Sequence, residues 1–409
     1  MLRRCFINLT HAWKLFVSLL VTFTFAFGVA SAEQISPNAQ ISYDAYNIAI
    51  GAPRDLLGPG HFEADIRKYN FSTSEVYETS MLTSLAVQRA FRNAIPSVSD
   101  YSHTAYGQNE NNWVVWGAPF FQRNTQKRND RYMGYDLTTD GFAAGITRLL
   151  GRNSSIGLAL GYSSHEQSGR NGYHLDVDAD TFHSALYGGT SIGSFFVDAY
   201  AGYSRSSKHS NRQFTVEHNE ADFHDEIWSA GIKAGYKWVL PGGIRITPAI
   251  GLDYGHIKQS SILEDVLWLQ GQDVAANQLE TGRATYHSVH MPVTVTVNKT
   301  FEANFLRFGG DAPSLWTPEI RGGFVSQLGS KRASVKTTDH LGYIAKGHRG
   351  DFDSFRYTAD SIANESYGMV GAGLKLQIRN GWTFGVDYDY AFGSKYGSHV
   401  LAATFGISF

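Results

Sequence analysis

His399-Val-Leu-Ala-Ala-Thr-Phe-Gly-Ile-Ser-Phe409 closes the chain on an alternating stretch that ends in a bare aromatic. Counted back from the terminus, Phe409, Ile407, Phe405, Ala403 and Leu401 share one face of a strand. Ser408, Gly406, Thr404 and Ala402 share the other, because side chains alternate across a strand. One face is greasy and the other small or polar. A chain that stops flush on such a strand is expected to use it to close something, since an open edge invites pairing with other chains. The expectation is a β-barrel.

The opposite end of the chain points to a compartment. Arg3, Arg4 and Lys14 precede an apolar run from Leu15 to Val29, and Ala30-Ser31-Ala32 supplies the small residues of an A-x-A cleavage site before Glu33. This is the layout of a secretory signal peptide. The run is about 15 residues long, short of the roughly 20 that a spanning helix needs. Cleavage after Ala32 is expected, with an uncleaved anchor as the alternative. The single cysteine, Cys5, falls inside the segment to be removed, so the mature chain is expected to cross an oxidising periplasm without disulfides.

Composition narrows the class further. Three of the 35 Lys and Arg lie in residues 1–32, which leaves 32 against 37 acidic residues and a net charge of about −5 with histidine neutral. Such a balance carries no nucleic-acid footprint. The chain holds 42 Gly, 22 Tyr, 26 Phe and 8 Trp, yet its mean hydropathy is −0.24, and beyond the leader no apolar run is long enough for a helix to span. A membrane protein without spanning helices has one solution left, a closed barrel in which every backbone amide is paired.

Other segments repeat the terminal pattern. Trp382, Phe384, Val386, Tyr388 and Tyr390 alternate with Thr383, Gly385, Asp387 and Asp389. Two carboxylates facing a soluble core would be costly, whereas in a barrel the apolar face meets lipid and the polar face a wet lumen. Met291, Val293, Val295 and Val297 alternate likewise with Thr294, Thr296 and Asn298, and Ile156, Leu158, Leu160 and Tyr162 with Gly157, Ala159, Gly161 and Ser163. Segments 228–236 and 244–254 follow, with Lys233, Arg245 and Asp253 on the polar face. Pro248 weakens the second of these as a strand.

About twelve strands fit between Asn112 and Phe409, and their links alternate in length. Short turns are expected near 150–155, 189–194, 240–243 and 379–381, where Pro241-Gly242-Gly243 and Asn380-Gly381 supply turn chemistry. Long polar loops are expected at 123–138, 164–180, 205–226, 257–288 and 329–365. The links 299–313 and 393–398 break the alternation. A soluble β-sandwich would not be expected to show it.

Residues 73–96 differ from the rest. Ser and Thr residues with Glu75 suit a helix N-terminus, Arg89 and Arg92 suit its last turns, and Pro96 ends it. Met81, Leu82 and Leu85 give only a partial apolar stripe. Two readings stay open: a periplasmic surface helix, or a helix in the lumen with Arg89 and Arg92 facing inward carboxylates such as Asp253, Glu319, Asp387 and Asp389.

A helix followed by the first strand Asn112-Trp113-Val-Val-Trp116-Gly-Ala-Pro-Phe-Phe121, then Tyr135-Asp-Leu-Thr-Thr-Asp-Gly-Phe-Ala-Ala-Gly145, Asp387-Tyr388-Asp389-Tyr390-Ala-Phe-Gly393 and the Phe409 terminus resembles the C-terminal translocator barrel of type V autotransporters. The resemblance covers roughly residues 80–409. It implies an all-β, twelve-stranded, antiparallel outer-membrane barrel, monomeric, with a helix in its pore and the long loops outside the cell of a Gram-negative bacterium. It implies partners in outer-membrane lipid, the barrel-assembly machinery and periplasmic chaperones. It also implies that Leu401, Ala403, Phe405, Ile407 and Phe409 form the signal that the machinery reads. The expected organisation is a signal peptide at 1–32, a passenger remnant or linker at 33–72, the pore helix at 73–96, a linker at 97–111 and the barrel at 112–409.

The other end departs from that family. Passengers are commonly repeat structures of several hundred residues, whereas Glu33 to Thr73 is about 40 residues without a visible repeat. The passenger is vestigial, or lost or encoded separately, or the barrel and its loops are the working product.

Chemistry-bearing motifs are weak throughout. The pair Asn111-Asn112 could be a self-cleavage site of the kind some relatives carry, but its place at the start of a strand suits turn chemistry better. The 15 histidines form no H-x-x-x-H or HExxH group. His174, His183, His209, His218, His224 and His287 are expected at loops and strand ends, solvated or in an aromatic belt. No Gly-x-Ser-x-Gly elbow stands at a strand-to-helix turn, and Gly371-Ala-Gly373 reads as lumen-side small residues, not a phosphate cradle. No enzyme activity, cofactor or metal is expected. The rival classes are a porin-like channel and an outer-membrane hydrolase whose catalytic residues lie far apart in sequence.

Overall fold

The structure is a computed structural model that describes residues 75–97, 113–127, 134–151, 153–170, 174–214, 217–267, 274–303, 314–329, 332–345, 348–362, 366–378 and 381–409, all within the compact unit Ser42–Phe409. Cys5, the expected cleavage site at Ala30 and Ala32, residues 33–72 and the Asn111-Asn112 pair lie outside the described residues. Among the described residues, one helix, α1 (Glu75–Ala94), precedes nineteen strands. Twelve of them build the wall: β1 (Trp113–Gln126), β2 (Tyr135–Leu150), β3 (Ser154–Gly169), β4 (His174–Ile192), β5 (Phe195–Phe214), β6 (Glu217–Tyr236), β8 (Ile244–Gln259), β12 (Ala284–Lys299), β14 (Ser314–Gln327), β17 (Tyr367–Gln377), β18 (Trp382–Phe392) and β19 (Tyr396–Ser408). Each pairs antiparallel with two neighbours, and the β6–β8 and β1–β19 ladders complete the ring.

The terminal stretch is the closing stave. Val115 pairs with Ile407, Gly117 with Phe405 and Phe121 with Leu401. Phe409 N donates to Trp113 O at 3.0 Å and Trp113 N to Phe409 O at 3.4 Å, so the last residue bonds to the first residue of β1. Leu401, Phe405 and Phe409 are exposed, while Ser398, Gly406 and Ser408 are buried against the lumen side. Ile407 and Ala403, on the outer face with them, are half-buried.

Outward faces all around the ring are apolar over a band. Ile156, Leu158 and Leu160 on β3, Val293 and Val295 on β12 and Val386 on β18 are exposed, and on β3 the run to Tyr162 spans about 20 Å along the strand. Aromatics bound the band at both rims: Trp113, Phe195, Trp238, Trp382 and Phe409 at the short-turn end, and Tyr162, Phe182, Trp228, Tyr254 and Tyr388 at the other. That is the surface a bilayer demands, with amphipathic rings at each interface. No helix among the described residues is long and apolar enough to cross a membrane.

Glycine permits the tight short-end turns. Gly193 sits at φ 60° in the β4–β5 turn, and Gly242 and Gly243 lie at φ 86° and 78° before β8, a region that side chains disfavour. Pro248 lies inside β8 after all. The ladder to β6 stops at Gly235↔Ala249, beside the residue that cannot donate. It resumes on the two-residue strand β7 (Trp238–Val239), which pairs with Ile246 and Arg245. At the link 299–313, β13 (Phe301–Ala303) pairs back on β14, and residues 304–313 lie outside the described ones. Gly393 N bonds to Tyr396 O at 2.8 Å in the short β18–β19 turn.

The long-loop expectation needs correction. Regions 164–180 and 205–226 are largely continuations of the wall, with Glu166↔Asp178 paired on β3–β4 and Arg212↔Asn219 on β5–β6. The region 257–288 contains β9 (Ile262–Leu263), β10 (Asp265–Leu267) and β11 (Val274–Thr281), and 329–365 contains β15 (Arg332–Ala345) and β16 (His348–Ile362). Strands β16, β15, β11 and β9, in that order, form a second sheet. Backbone pairing continues past the lipid band because the inner faces there still have something to cover. We expect amides 206–212 and 219–225 to exchange with solvent as slowly as those of the lipid-facing band. Fast exchange there, measured by hydrogen–deuterium exchange in micelles, would restore the loop reading.

Candidate functional site: a lumen filled by one helix

Among the described side chains, helix α1 is buried all round from Tyr77 to Gln88. Tyr77, Ser80, Met81, Leu85, Ala86, Val87, Gln88, Ala90, Phe91 and Ala94 are all buried, Arg89 and Arg92 are half-buried, and Asn93 is exposed. This resolves the two open readings in favour of the lumen. A surface helix would leave a polar face to water, whereas here the serines and threonines themselves touch the wall.

Apolar contacts seat the helix at three levels. Tyr77 packs among Val177, Ala221, Phe223, Ile262 and Leu279. Met81, Leu82 and Leu85 pack on Ile227, Ile257, Ala284, Tyr286 and Val335, the last from β15 of the second sheet. Ala90, Phe91 and Ala94 face Trp116, Ala118, Phe120, Ala143, Ala159, Ala185 and Tyr187. That wall is kept low by small residues: a Cβ on Gly161 would fall 2.6 Å from the Phe91 ring, and one on Gly255 would fall 2.8 Å from Leu85 Cδ2.

Polar contacts fix its rotation and height. Lys208 Nζ, with no exposure, lies 2.5 Å from Asp225 Oδ2 and donates to Ser80 O at 2.7 Å. Ser84 Oγ donates to the same Asp225 oxygen at 2.8 Å. Tyr77 OH donates to Glu264 Oε1 at 2.6 Å, and Arg212 clamps that carboxylate through Nε at 2.8 Å and Nη2 at 2.5 Å. Gln167 bridges Thr79 and Thr83 at 2.8 and 3.0 Å, and Gln88 Nε2 reaches Ser229 Oγ at 2.5 Å. Buried charges are costly unless paired and hydrogen-bonded, and these are both.

Below the helix, toward the short turns, lies a cavity of about 500 Å³. Arg92 enters it 3.7 Å from Asp253 and stacks over Tyr200 at 5.0 Å. Arg89 turns instead to Ser288 Oγ at 3.1 Å and His290 Nδ1 at 2.8 Å. Neither helix arginine meets Glu319, Asp387 or Asp389 among the described contacts. Those three carboxylates gather around Arg321 of β14, at 2.7, 2.8 and 2.6 Å. Gly371 and Gly373 leave the room for this, since a side chain there would collide with Asp389 and Asp387. Lys233, Lys237 and Arg245 line the β6–β8 side of the same cavity together with Asp198 and Asp253, so the lower lumen is lined by charges of both signs.

The histidine expectation holds for some residues and fails for others. His209 is exposed beside Asp222 at 2.9 Å, and His287 is exposed within 2.8 Å of Tyr254 OH. His183, expected at a solvated strand end, is buried in mid-strand. It lies between Ser163 and Ser204 hydroxyls at 2.9 and 2.8 Å, under the Phe91 ring at 4.7 Å. The side chains of His174 and His218 lie outside the described ones. Lys208, Arg212, Glu264 and Arg321 were not singled out in the sequence, although the inward parity of Ser206, Lys208, Ser210 and Arg212 continues that of Ser204. No group of three or more His, Cys, Asp or Glu fit to hold a metal occurs among the described residues.

The autotransporter β-domain family model matches residues 115–389. The chain is 22% identical over 368 residues to Outer membrane protein B of Rickettsia prowazekii (strain Madrid E), covering 82% of this chain and 20% of that protein. It is 26% identical over 181 residues to Outer membrane protein A of Rickettsia rickettsii, covering 41% of this chain and 8% of that protein. The chain thus spans a small part of the length of these curated relatives. Among solved structures, the translocator domain of autotransporter NalP from Neisseria meningitidis matches with a TM-score of 0.57 at 16% identity, over 82% of this chain and 99% of that one.

The buried pair sets a stability test. Asp225→Ala strands the Lys208 ammonium and should cost about 3–5 kcal/mol, whereas Lys208→Met with Asp225→Leu should recover most of it. Unfolding midpoints in detergent would measure both, and an unaffected single variant would show that the pair does not seat the helix.

Proposed function

The chain belongs to the autotransporter β-domain family, and from that premise we propose that this barrel exports or displays the segment preceding α1. The protein is an outer-membrane translocator barrel of a Gram-negative bacterium, in a type V secretion setting. What remains to be assigned is the path and the cargo.

The observation that carries the reading is the polarity of the helix in the lumen. Tyr77, in its first turn, sits among the ends of the long hairpins, and its C-terminal Ala94 sits lower, beside Trp116 and Tyr187. Short turns face the periplasm in this architecture. A chain that leaves the barrel past Tyr77 therefore emerges on the outer side. Residues 33–72 are the proposed displayed segment and 1–32 the signal peptide. The lower cavity, with charges of both signs on its wall, provides a hydrated entrance for a passing chain. Transfer of this kind needs no covalent chemistry from the barrel.

Insertion is proposed to depend on β19. Leu401, Phe405 and Phe409 present an exposed row that the barrel-assembly machinery can read while the ring is still open, with periplasmic chaperones keeping the unpaired strands apart.

Three outcomes test this. Protease added to intact cells should cleave within residues 33–72, and complete protection would overturn surface display. Deleting residues 75–94 should turn a nearly silent barrel into one with large steady currents in a planar bilayer; equal currents from the intact protein would favour an open porin. Phe409→Ala should lower the amount of heat-modifiable protein in the outer membrane several-fold, and normal insertion would remove the role given to the terminus.

A further inference from the structure

Apart from the lumen, the outer wall carries a second ordered set of side chains where the lipid band gives way to the extended hairpins. On β8 the outward residues run Leu252, Tyr254, His256, Lys258, and on β5 they run Ala199, Ala201, Tyr203, Arg205. Along each strand the order is apolar, then ring, then cation, which is the order of hydrocarbon, interface and headgroup in a bilayer leaflet. The ladders tie the rings together: Tyr203 pairs with Trp228, Trp228 with His256 and His256 with His287. Tyr203 and Trp228 have ring centroids 4.8 Å apart, and His256 stacks on His287 at 4.4 Å.

Three cations stand outside these rings, Arg205 and Lys258 at the next outward positions and Arg283 two outward positions beyond His287. All three are exposed, and none makes an ion pair within 4.0 Å among the described residues. Half-buried Glu226 is the cross-strand neighbour of both Arg205 and Lys258, and exposed Asp222 stands further out on β6 beside His209, so cations outnumber acids at the edge of the ring layer. The adjoining wall is opposite in sign, with Asp140, Glu166, Asp178 and Asp180 all exposed on β2 to β4. The basic patch is thus one sector of the rim and not a general property of it.

We infer that this sector of β5, β6, β8 and β12 binds the phosphorylated headgroup of an outer-leaflet glycolipid, with its acyl chains lying on the Ala199–Leu252 wall below. Three features select that occupant over a soluble one. The cations adjoin a surface that lipid already covers. The ring layer between is chemically suited to a sugar face and a phosphate ester, through stacking and the histidine N–H groups. The charge is complementary to phosphate, and Arg205 can meet it with two parallel N–H donors. The inference requires only that the barrel spans the outer membrane and is independent of what the barrel exports.

The test uses the full chain extracted in mild detergent and offered a bisphosphorylated, acylated glucosamine disaccharide, with retained lipid counted by native mass spectrometry. Each surface cation near a membrane is worth about fivefold in lipid affinity, so the variant R205Q/K258Q/R283Q should retain at least about tenfold less. D140N/D178N/D180N, on the acidic wall, should retain as much as the parent. Retention by the parent should also fall as salt rises, a readout that needs no variant. Equal retention by the basic-sector variant, or by the dephosphorylated disaccharide, would overturn the proposal. So would displacement of the lipid by millimolar inorganic phosphate, which would mark a free-anion site. Both sets of variants must keep heat-modifiable mobility, which separates loss of the lipid from loss of the barrel.

Discussion

Hydrocarbon offers no partner to a peptide group, and everything in this molecule follows from that lack. Twelve strands must bond to one another without a loose edge, so the ring has to close twice over: β6 finds β8 across the small β7 insert, and β1 finds β19 at the very terminus. Closure forces each strand to alternate between lipid and lumen. The outward set can then be Ile, Leu, Val and aromatic, and the inward set must be small or polar enough for what the lumen holds. Prolines are admitted at a local cost, because a missing donor interrupts one ladder while the other continues. At Pro119 the β1–β19 ladder skips from Gly117↔Phe405 to Phe120↔Ala402 while the β1–β2 ladder runs on.

The lumen holds two different media. Its upper part is a protein core: α1 fills it, the wall is trimmed to glycine and alanine where Phe91 and Leu85 press, and the charges that remain are paired and bonded to the helix. Its lower part stays open and charged. The upper core extends past the lipid rim, with Lys208, Arg212 and Asp225 facing inward on strands whose outer faces have already become polar. Length of strand here is set by what must be covered inside, not by the thickness of the bilayer.

That division explains which parts of the fold were legible in the sequence. Where only one face is polar, as in Ile156 to Ser163 or Trp382 to Tyr390, period-2 contrast marks the strand and its orientation. From Arg205 to Arg212 both faces are polar, Arg205, Ser207 and His209 outward and Ser206, Lys208 and Ser210 inward. The contrast vanishes, and a strand looks like a loop. Residues Glu319, Asp387 and Asp389 were legible as lumen-facing, but their partner was not. Glu319 is two residues from Arg321 on β14 itself, but Asp387 and Asp389 are reached across the β14–β17–β18 ladders, and adjacency across a ladder depends on register, which a single sequence does not display. His183 was misplaced by its residue type, although its neighbours Phe182 and Leu186 fix its parity as inward.

The helix is composed against its own secondary structure. Thr79, Ser80, Thr83 and Ser84 put hydroxyl side chains in its interior, where residues that form helices well would be expected on propensity alone. Outside the barrel such a segment has little reason to coil, since short helices are marginal in water even with favourable sequences. Only the wall, through Lys208, Gln167, Ser229 and the alanine-lined seat of Phe91, makes coiling worthwhile. The segment therefore has the character of a stopper that stiffens where it fits: slender and pliable on its own, and a solid cork once each hydroxyl finds its place.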